Sequence, residues 1–277
     1  MNHLTRSIYI SEKCGSYKAL SLYSLSIFYG ICTHFSHIAD SVKKIPEPYS
    51  KYILSTNRGL KDLRVGIPFM ENIAKMYIGY DGSLAREYLS SIEEALKEES
   101  YIVVRQKGRL EYRLVYGVSG KNLWPLFEVG LEVDPVLNVP VVRGSALKGV
   151  FRAYLETIER EEKCAGLQNI LKTLFGEAGE NGGKGLLIFS DMFPVEPGLG
   201  GYILYPDVIT PMKDKPKPKP IHFMAWQIGV GVEFLLAIHP SLEKKKDEIV
   251  ACLKRALENM GVGARTSVGY GYVKMMT

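Results

Sequence analysis

Apolar residues recur at helical spacing in two segments of the second half of the chain. One segment follows Ser145 and the other follows Ser241. Spacings of three and four residues place apolar side chains on one face of an α-helix. The sequence therefore predicts two core helices, with Ser145 as the N-cap of the first. Their apolar faces comprise Leu147, Val150, Phe151, Tyr154, Leu155 and Ile158 in the first helix, and Ile249, Leu253, Ala256, Leu257 and Met260 in the second.

Alternating apolar and polar residues predict strands before, between and after these helices. The segments are residues 109–119, 126–133, 184–195 and 221–239, followed by the VGYGYVKMM segment at the C-terminus. A period of two is typical of a strand with one buried face. Gly229 and Gly231 allow a bend or a bulge, so residues 221–239 form either one long strand or a hairpin.

The order of the core elements is strand, helix, strand, strand, helix, strand. This order predicts an α+β fold with a ferredoxin-like, RNA-recognition-type βαββαβ core. We assign residues 101–277 to that core, because the strand pattern starts near residue 100. Residues 1–100 are predicted to form a mostly helical N-terminal extension.

The stretch between Lys18 and Asp40 contains no Asp, Glu, Lys or Arg. It is about long enough to span a bilayer, so a membrane segment is one interpretation of residues 19–39. Its serines and histidines, and apolar residues at helical spacing, favour a buried or partner-facing helix. His34 and His37 lie three residues apart, but no third metal ligand stands nearby. We therefore predict no membrane segment and no metal site here.

Composition narrows the class of protein. A chain of 277 residues, 46% of them hydrophobic, is able to bury a core. Lys and Arg number 35 against 30 Asp and Glu, a balance that tolerates a polyanionic partner without requiring one. The four cysteines form no C-x-x-C pair, so we expect neither a zinc knuckle nor a disulfide framework. These features favour the cytoplasm, and no motif indicates a cofactor.

Four glycines surround one arginine in the segment MGVGARTSVGYGYV, residues 260–273. A dinucleotide-binding loop needs a strand before it and a helix after it, whereas here the predicted helix comes first. A Walker A loop needs Ser or Thr after its Gly-Lys pair, whereas Gly185 follows Gly183 and Lys184. Both familiar phosphate loops are therefore excluded.

Glycine lacks the Cβ atom that disfavours positive φ, so we expect positive φ at some positions of this loop. Its N–H groups, together with one guanidinium and two hydroxyls, would form a cradle for phosphate oxygens. The structural alternative is a helix C-cap at Gly261 followed by a tight turn. The candidate RNA-binding residues of the loop are Gly261, Gly263, Arg265, Thr266, Ser267, Gly269, Tyr270 and Gly271.

A second candidate surface lies at the start of the first predicted helix. Ser145, Lys148 and Arg152 fall three and four residues apart on the face opposite the apolar residues. A helix N-terminus favours anions, and Arg143 and Gly144 come directly before it. These five residues predict a phosphate-binding surface, with a solvated polar face as the alternative. We expect this surface and the glycine-rich loop to come together in space as one cationic site for a ribose-phosphate strand.

A set of motifs follows in order along the second part of the chain. They are VPVVRGSALKGVFRAYL, LFG at 174–176, GLLIFSDMFP, YPDVITP at 205–211 and MGVGARTSVGYGYV. In this order they resemble the repeat-associated mysterious protein (RAMP) superfamily of CRISPR systems. More narrowly, DVITP followed by an apolar strand and GVGARTSVGYG is similar to the sixth subunit of type III-B Cmr effector complexes. The resemblance covers residues 110–277.

The resemblance implies a non-catalytic RNA-binding subunit of an antiviral ribonucleoprotein. The implied partners are a guide (CRISPR) RNA, its complementary target RNA and other Cmr RAMP subunits, with contacts near the guide's 3′ end. It also implies that Arg265 contacts the RNA backbone, while base pairing by the guide supplies sequence specificity. Family members often carry PG before SSLKG, whereas Arg143 and Gly144 precede SALKG here, which leaves the local geometry open.

Two rival functions stay open. Some RAMP relatives cut RNA, which requires a general base near the 2′-hydroxyl and a group that stabilises charge in the transition state. No pair at useful spacing stands out among the candidates, so we predict no enzymatic activity. The other rival is an assembly-only scaffold. The candidates for RNA cleavage are His3, His34, His37, His222, His239, Asp134, Asp191 and Asp207.

Overall fold

The computed structural model describes residues 8–10, 17–19, 67–117, 129–158, 164–177, 183–210 and 220–276. Its α-helices are α1 (Ile67–Lys75), α2 (Ser83–Glu98), α3 (Gly144–Thr157), α4 (Ala165–Gln168), α5 (Leu171–Phe175) and α6 (Lys246–Asn259). Its strands are β1 (Ile8–Ile10), β2 (Tyr17–Ala19), β3 (Ile102–Leu110), β4 (Val133–Asp134), β5 (Val139–Pro140), β6 (Leu187–Phe189), β7 (Phe193–Glu196), β8 (Leu204–Ile209), β9 (Ile221–Trp226), β10 (Gly231–Ile238) and β11 (Val273–Met275). The protein is therefore of the α+β class.

The chain divides into two compact units, each built from three separate segments. The first unit comprises Met1–Tyr80, Tyr116–Pro140 and Gly201–Trp226. The second unit, called the sheet unit below, comprises Asp81–Val115, Val141–Gly200 and Gln227–Thr277. The domain boundary that the sequence suggests near residue 100 stays a prediction.

In the first unit, the described part centres on the antiparallel hairpin of β8 and β9, against which α1 packs. The short strands β4 and β5 also pair antiparallel. The Tyr77 hydroxyl donates a hydrogen bond to the Asn138 carbonyl at 2.9 Å and so ties the residues after α1 to the turn between these strands. Burial raises the pKa of the Tyr77 phenol, which keeps it a hydrogen-bond donor.

The sheet unit contains a five-stranded sheet in the order β11-β3-β10-β6, with β7 pairing to β10 as well. Every pair in this sheet is antiparallel. Because all eight residues of β10 are buried, both faces of the sheet are covered.

Helices cover both faces. Helix α2 lies on the face that carries Arg105, whose guanidinium is 2.9 Å from the Glu93 carboxylate of α2. On α3, the ring of Phe151 lies 6.3 Å from the ring of Phe189 in β6. Phe189 and Arg105 pair with consecutive residues of β10, and consecutive residues point to opposite faces. Helix α3 therefore covers the face opposite α2, and α6 packs beside it.

Both predicted core helices are confirmed, as α3 and α6, and most of their predicted apolar residues are buried. Ser145 is not the N-cap of α3: Arg143 holds that position, and Ser145 is exposed in the first turn. The strand predicted at residues 109–119 is displaced, since β3 spans Ile102–Leu110. Residues 221–239 contain two strands that pair with different partners, so they form neither one long strand nor a hairpin.

A disulfide joins Cys164, just before α4, to Cys252 in α6. It corrects the expectation that the cysteines form no disulfide. The two residues are 88 positions apart, and both are completely buried. Cysteine usage therefore gives no support to a reducing compartment.

Within the described ranges, no helix has the length and apolar character needed to cross a bilayer. The apolar segment at residues 19–39 lies outside the described residues, apart from Ala19 at the end of β2. The same is true of most of the predicted N-terminal extension.

Candidate nucleic-acid interface

The glycine-rich segment forms the loop between α6 and β11. Helix α6 ends at Asn259, and Gly261 follows its C-cap residue with φ at 68°. All four predicted loop glycines have positive φ, which confirms the expectation drawn from their spacing. The other φ values are 96° at Gly263, 95° at Gly269 and 78° at Gly271.

Two of these glycines have a clear structural reason. Gly261 occupies the left-handed position after the helix end, as in many helix C-caps. A Cβ atom at Gly271 would overlap the carbonyl oxygen of Val262. The helix C-cap therefore accounts for Gly261, and the close approach to Val262 accounts for Gly271, which the C-cap alternative alone leaves unexplained. In contrast, Gly263 is exposed, and a Cβ at Gly269 would meet nothing within 4 Å.

Backbone hydrogen bonds fasten the loop to the chain that follows β3. The Ala264 amide donates to the Val115 carbonyl at 2.7 Å. The Gly271 amide donates to the Arg113 carbonyl at 2.8 Å, and the Glu111 amide donates to the Tyr272 carbonyl at 3.0 Å. Residues 111–115 therefore form the floor on which the loop rests, and both ends of the loop are fixed.

Arg265 lies at the outer side of the loop and is exposed. Its φ of 66° lies in the left-handed region, which a non-glycine residue enters only at a cost. Its guanidinium carbon is 6.0 Å from the centre of the Tyr270 ring, within the range of a cation–π contact. Among the described residues it makes no ion pair with a carboxylate.

The hydroxyl residues follow directly. Thr266 and Ser267 begin a one-turn 3₁₀-helix, and Ser267 is exposed. The structure thus brings together Arg265, two hydroxyls and the exposed backbone at Gly263 on a loop with fixed ends. This arrangement is able to contact an anion through one cation, hydroxyls and amides.

Tyr112 is a functional candidate that the sequence reasoning missed. It lies in the segment under the loop, and its ring meets the ring of buried Tyr270 edge to face at 5.3 Å. Tyr112 is 42% exposed. Its neighbourhood depends on the pairing of residues 111–115 with the loop, and no local sequence signal indicates that pairing.

The start of α3 already holds an anion, the Asp191 carboxylate. One Asp191 oxygen accepts a hydrogen bond from the Gly144 amide at 2.7 Å, and the other lies 2.9 Å from Arg143 Nη1. A carboxylate is stabilised at a helix N-terminus by the unpaired amides and the helix dipole. Gly144 is buried, and a Cβ there would overlap the carbonyl oxygen of Phe189. Arg143 and Gly144 thus have structural partners that the sequence analysis did not foresee.

The other residues of this surface lie along α3. Ser145 and Arg152 are exposed, and Lys148 is half-buried. Arg152 Nε lies 2.8 Å from Glu156 one turn later, an exposed pair of a kind that contributes little to stability and is screened by salt. Lys148 and Arg152 are therefore the cations of α3 that a phosphate is able to reach.

The two candidate surfaces belong to opposite edges of the sheet. The start of α3 is fastened to the connection between β6 and β7, whereas the loop leads into β11. Three strand spacings, about 14 Å, separate β6 from β11. The structure therefore presents two sites joined by the packing of α3 against α6. The expectation that they form one cationic site is wrong, because their elements lie at opposite edges of the sheet.

The described aspartate candidates and His239 accept structural hydrogen bonds. Asp134 accepts from the amides of Val136 and Leu137 in the turn after β4. The His239 ring accepts a hydrogen bond from the Ser241 amide at 3.3 Å, at the start of a 3₁₀-helix. Asp207 accepts from the next amide along β8. His222 lies on β9, and its buried Nδ1 has no hydrogen-bond partner among the described residues. His3, His34 and His37 lie outside the described residues. In the described ranges, no group of three His, Cys, Asp or Glu residues is placed to hold a metal.

A family model described as the RAMP superfamily matches residues 120–274. Since the match covers more than half of the chain, the chain belongs to this superfamily.

Two of the similar proteins are Cmr6 subunits. The chain is 29% identical to the CRISPR system Cmr subunit Cmr6 of Saccharolobus solfataricus over 202 residues, which is 70% of this chain and 66% of that protein. It is 22% identical to Cmr6 of Pyrococcus furiosus, over 79% of this chain and 80% of that protein. The narrower resemblance to the sixth subunit of the type III-B complex is thereby confirmed.

A solved structure is also similar. It is a chain from a cryo-EM structure of a type III-B Cmr-beta complex bound to cognate target RNA, with a TM-score of 0.66 and 26% identity. The match covers 92% of this chain and 90% of that one. The fold described above is therefore a known fold of type III-B Cmr complexes.

Proposed function

We propose that the chain is a non-catalytic subunit of a type III-B CRISPR ribonucleoprotein and binds RNA through its glycine-rich loop. The single observation that carries the proposal is Arg265. It is exposed on a loop with fixed ends, and among the described residues it has no carboxylate partner. Its left-handed backbone costs free energy that no contact with a described carboxylate offsets, and such strain is typical of binding sites.

The groups on the loop suit RNA backbone better than bases. A guanidinium, hydroxyls and amides bind phosphate oxygens. Such contacts do not distinguish one base from another, which requires side-chain donors and acceptors paired with base edges. In an RNA-guided complex this is sufficient, because base pairing between guide and target reads the sequence.

The fold supports the same interpretation. The helices α3 and α6 each cross between strands of one antiparallel sheet whose order does not follow the chain. We propose that α3, α6 and this sheet together form a ferredoxin-like, RNA-recognition-type core. Its strands would then be β3, β6, β10 and β11, with β7 as an additional strand along β10.

The implied partners follow from the relatives. The similar chain of known structure belongs to a complex bound to target RNA, and the two Cmr6 relatives named above are subunits of Cmr systems. We propose that this chain contacts guide RNA and its duplex with the target near the guide's 3′ end, and packs against other Cmr RAMP subunits. The cytoplasm is the proposed compartment.

The second surface has a narrower proposed role than the sequence suggested. Lys148 and Arg152 contact phosphate, whereas Arg143 and Gly144 hold the start of α3 through Asp191. Since the two sites lie at opposite edges of the sheet, an RNA that touches both has to run across α6 and α3.

The test is RNA–protein crosslinking in the assembled complex, with crosslinked peptides mapped by mass spectrometry. The proposal predicts crosslinks in residues 261–271 and 145–152. Crosslinks confined to other parts of the chain, or none in a complex that contains RNA, would contradict it.

Two outcomes would favour the rival functions. If the purified chain cleaves labelled guide or target RNA with multiple turnover, it is an endoribonuclease. If the double variant Lys148→Glu with Arg152→Glu and the variant Arg265→Glu both abolish assembly, while RNA binding by the purified chain and its salt slope are unchanged, the chain is an assembly scaffold.

A further inference from the structure

Tyr112 places a half-exposed aromatic ring beside the glycine-rich loop. It is 42% exposed, although the ring that it contacts, Tyr270, is buried. The centres of the two rings are 5.3 Å apart, and the planes meet at 82°. An aromatic residue in this position has a contact that orients it and a surface that remains open.

The backbone on both sides of Tyr112 is fixed. The amide of Glu111 donates to Tyr272, and the carbonyl of Arg113 accepts from Gly271. A ring with only two rotatable side-chain bonds, held in this way, loses little conformational entropy when it binds a flat partner.

The loop's cation uses the same buried ring. Arg265 lies 6.0 Å from the centre of the Tyr270 ring, and Tyr112 meets that ring at 5.3 Å. Tyr270 thus supports a positive charge and an exposed aromatic side by side. Val268 adds an apolar side chain, 58% exposed, on the same loop. A charge that attracts phosphate beside a ring that stacks on a base is the pairing found at single-strand binding sites.

We propose that Tyr112 stacks on an unpaired base of single-stranded RNA while Arg265 contacts the neighbouring phosphate. The inference rests on the proposed function, since it requires RNA backbone at the loop, and it adds which form of RNA the loop prefers. Bases inside a duplex are stacked on one another and present only their edges, so a duplex leaves Tyr112 without a partner. The loop therefore binds single-stranded RNA, with little preference for which base stacks.

The test compares Tyr112→Ala, Tyr112→Phe and Arg265→Ala in the purified full-length chain. Binding is measured by fluorescence anisotropy with a labelled single-stranded RNA and with a duplex of the same sequence. We expect Tyr112→Ala to weaken single-strand binding about 5- to 150-fold, the range for loss of one stacked base. Tyr112→Phe keeps the ring and is expected to bind within about twofold of the unaltered chain. The slope of affinity against salt is expected to stay unchanged in both, because no phosphate contact is lost.

Tyr88 provides a matched control. It is 45% exposed, and its ring also meets a buried ring, Phe193, edge to face at 5.7 Å, but it lies on α2. Tyr88→Ala should therefore lose as much stability as any variant that removes a half-exposed aromatic ring, but its RNA affinity should not change. Melting temperatures of both alanine variants show whether the fold survives.

The outcomes separate the two proposals. If Arg265→Ala weakens binding while folded Tyr112→Ala binds both RNAs normally, the stacking proposal is overturned and the proposed function stands. An equal loss for single strand and duplex in Tyr112→Ala also overturns stacking. Both proposals are overturned if the unaltered chain binds neither RNA. They are also overturned if Tyr112→Ala and Arg265→Ala both bind RNA as the unaltered chain does.

Discussion

The Asp191 carboxylate links Arg143 to the first amide of helix α3. One oxygen accepts from the Gly144 amide at 2.7 Å, and the other lies 2.9 Å from the Arg143 guanidinium. Arg143 and Asp191 are 48 positions apart in the chain, so this contact fixes α3 to the connection between β6 and β7. Local sequence reasoning assigns Arg143 to RNA binding, whereas this contact gives it a structural role.

Removal of this carboxylate should destabilise the protein. We expect Asp191→Ala to lower the free energy of unfolding by about 1–2 kcal/mol, because the helix loses its capping acceptor and Arg143 loses its partner. Chemical denaturation followed by far-UV circular dichroism measures the change. Asp191→Asn keeps an oxygen acceptor and should cost less. An Asp191→Ala variant as stable as the unaltered chain would show that the contact has no role in holding α3.

The disulfide between Cys164 and Cys252 should dominate the response to reductant. For a loop of 88 residues, the chain-entropy model gives a stabilisation of about 4–5 kcal/mol. We expect a reductant to lower the melting temperature markedly under conditions that allow access to the buried sulfurs. The double variant Cys164→Ala with Cys252→Ala should start with a low melting temperature and show no further response. An unaltered chain that melts at the same temperature with and without reductant after unfolding and refolding would contradict this expectation.

Glu93 should make stability depend on acid pH. Hydrogen bonding to Lys97, followed by the effect of Arg105, holds the pKa of the Glu93 carboxyl below its ordinary value despite some desolvation. A lowered folded-state pKa contributes stability that is present above the ordinary pKa of about 4.3 and is lost as pH falls through the lower value. Glu93→Gln is therefore expected to cost about 1 kcal/mol near pH 7 and progressively less below pH 4.

Denaturation of both proteins at several pH values measures this difference. Glu156→Gln is a suitable control, because among the described residues Glu156 forms only an exposed pair with Arg152 one turn away, worth about 0.5 kcal/mol or less. A Glu93→Gln deficit that stays constant down to strongly acid pH would refute the electrostatic explanation.

Gly271 and Gly269 should differ in their tolerance of alanine. Both have positive φ, but only at Gly271 would a Cβ overlap the carbonyl oxygen of Val262. Gly269→Ala should cost about 1 kcal/mol from the left-handed backbone alone. Gly271→Ala should cost clearly more, since the loop must also move. Thermal melts of the two variants decide the matter, and equal losses would mean that the close approach to Val262 is unimportant.

Sequence patterns were sufficient to predict the elements that pack through apolar side chains. Residues such as Phe151 and Leu253 are buried on the helices where their spacing places them. Strand β3 was placed too late in the chain, because alternation predicted a strand at residues 109–119 whereas β3 spans Ile102–Leu110. Within β3, Arg105 and Lys107 lie on the face that α2 covers, where Glu233 and Glu93 pair with them. These pairings join residues far apart in the chain, so no local pattern shows them.

In the candidate site too, features that depend on local sequence were predicted, and features that depend on distant segments were not. The positive φ values of the loop followed from glycine spacing, since only local backbone geometry is involved. The capture of Arg143 by Asp191, the disulfide and the position of Tyr112 under the loop all depend on chain segments that meet only in the folded protein. Each of these was missed or misjudged for that reason.

The central claim is that Arg265 contacts an RNA phosphate, and salt dependence tests it most directly. The affinity of the full-length chain for single-stranded RNA is measured at several salt concentrations, for the unaltered chain and for Arg265→Ala. Loss of one phosphate contact should weaken binding and reduce the slope of log affinity against log salt by about 0.7. Arg143→Ala, which removes a guanidinium paired with Asp191, should leave the slope unchanged. An unchanged slope and affinity in Arg265→Ala would contradict the claim.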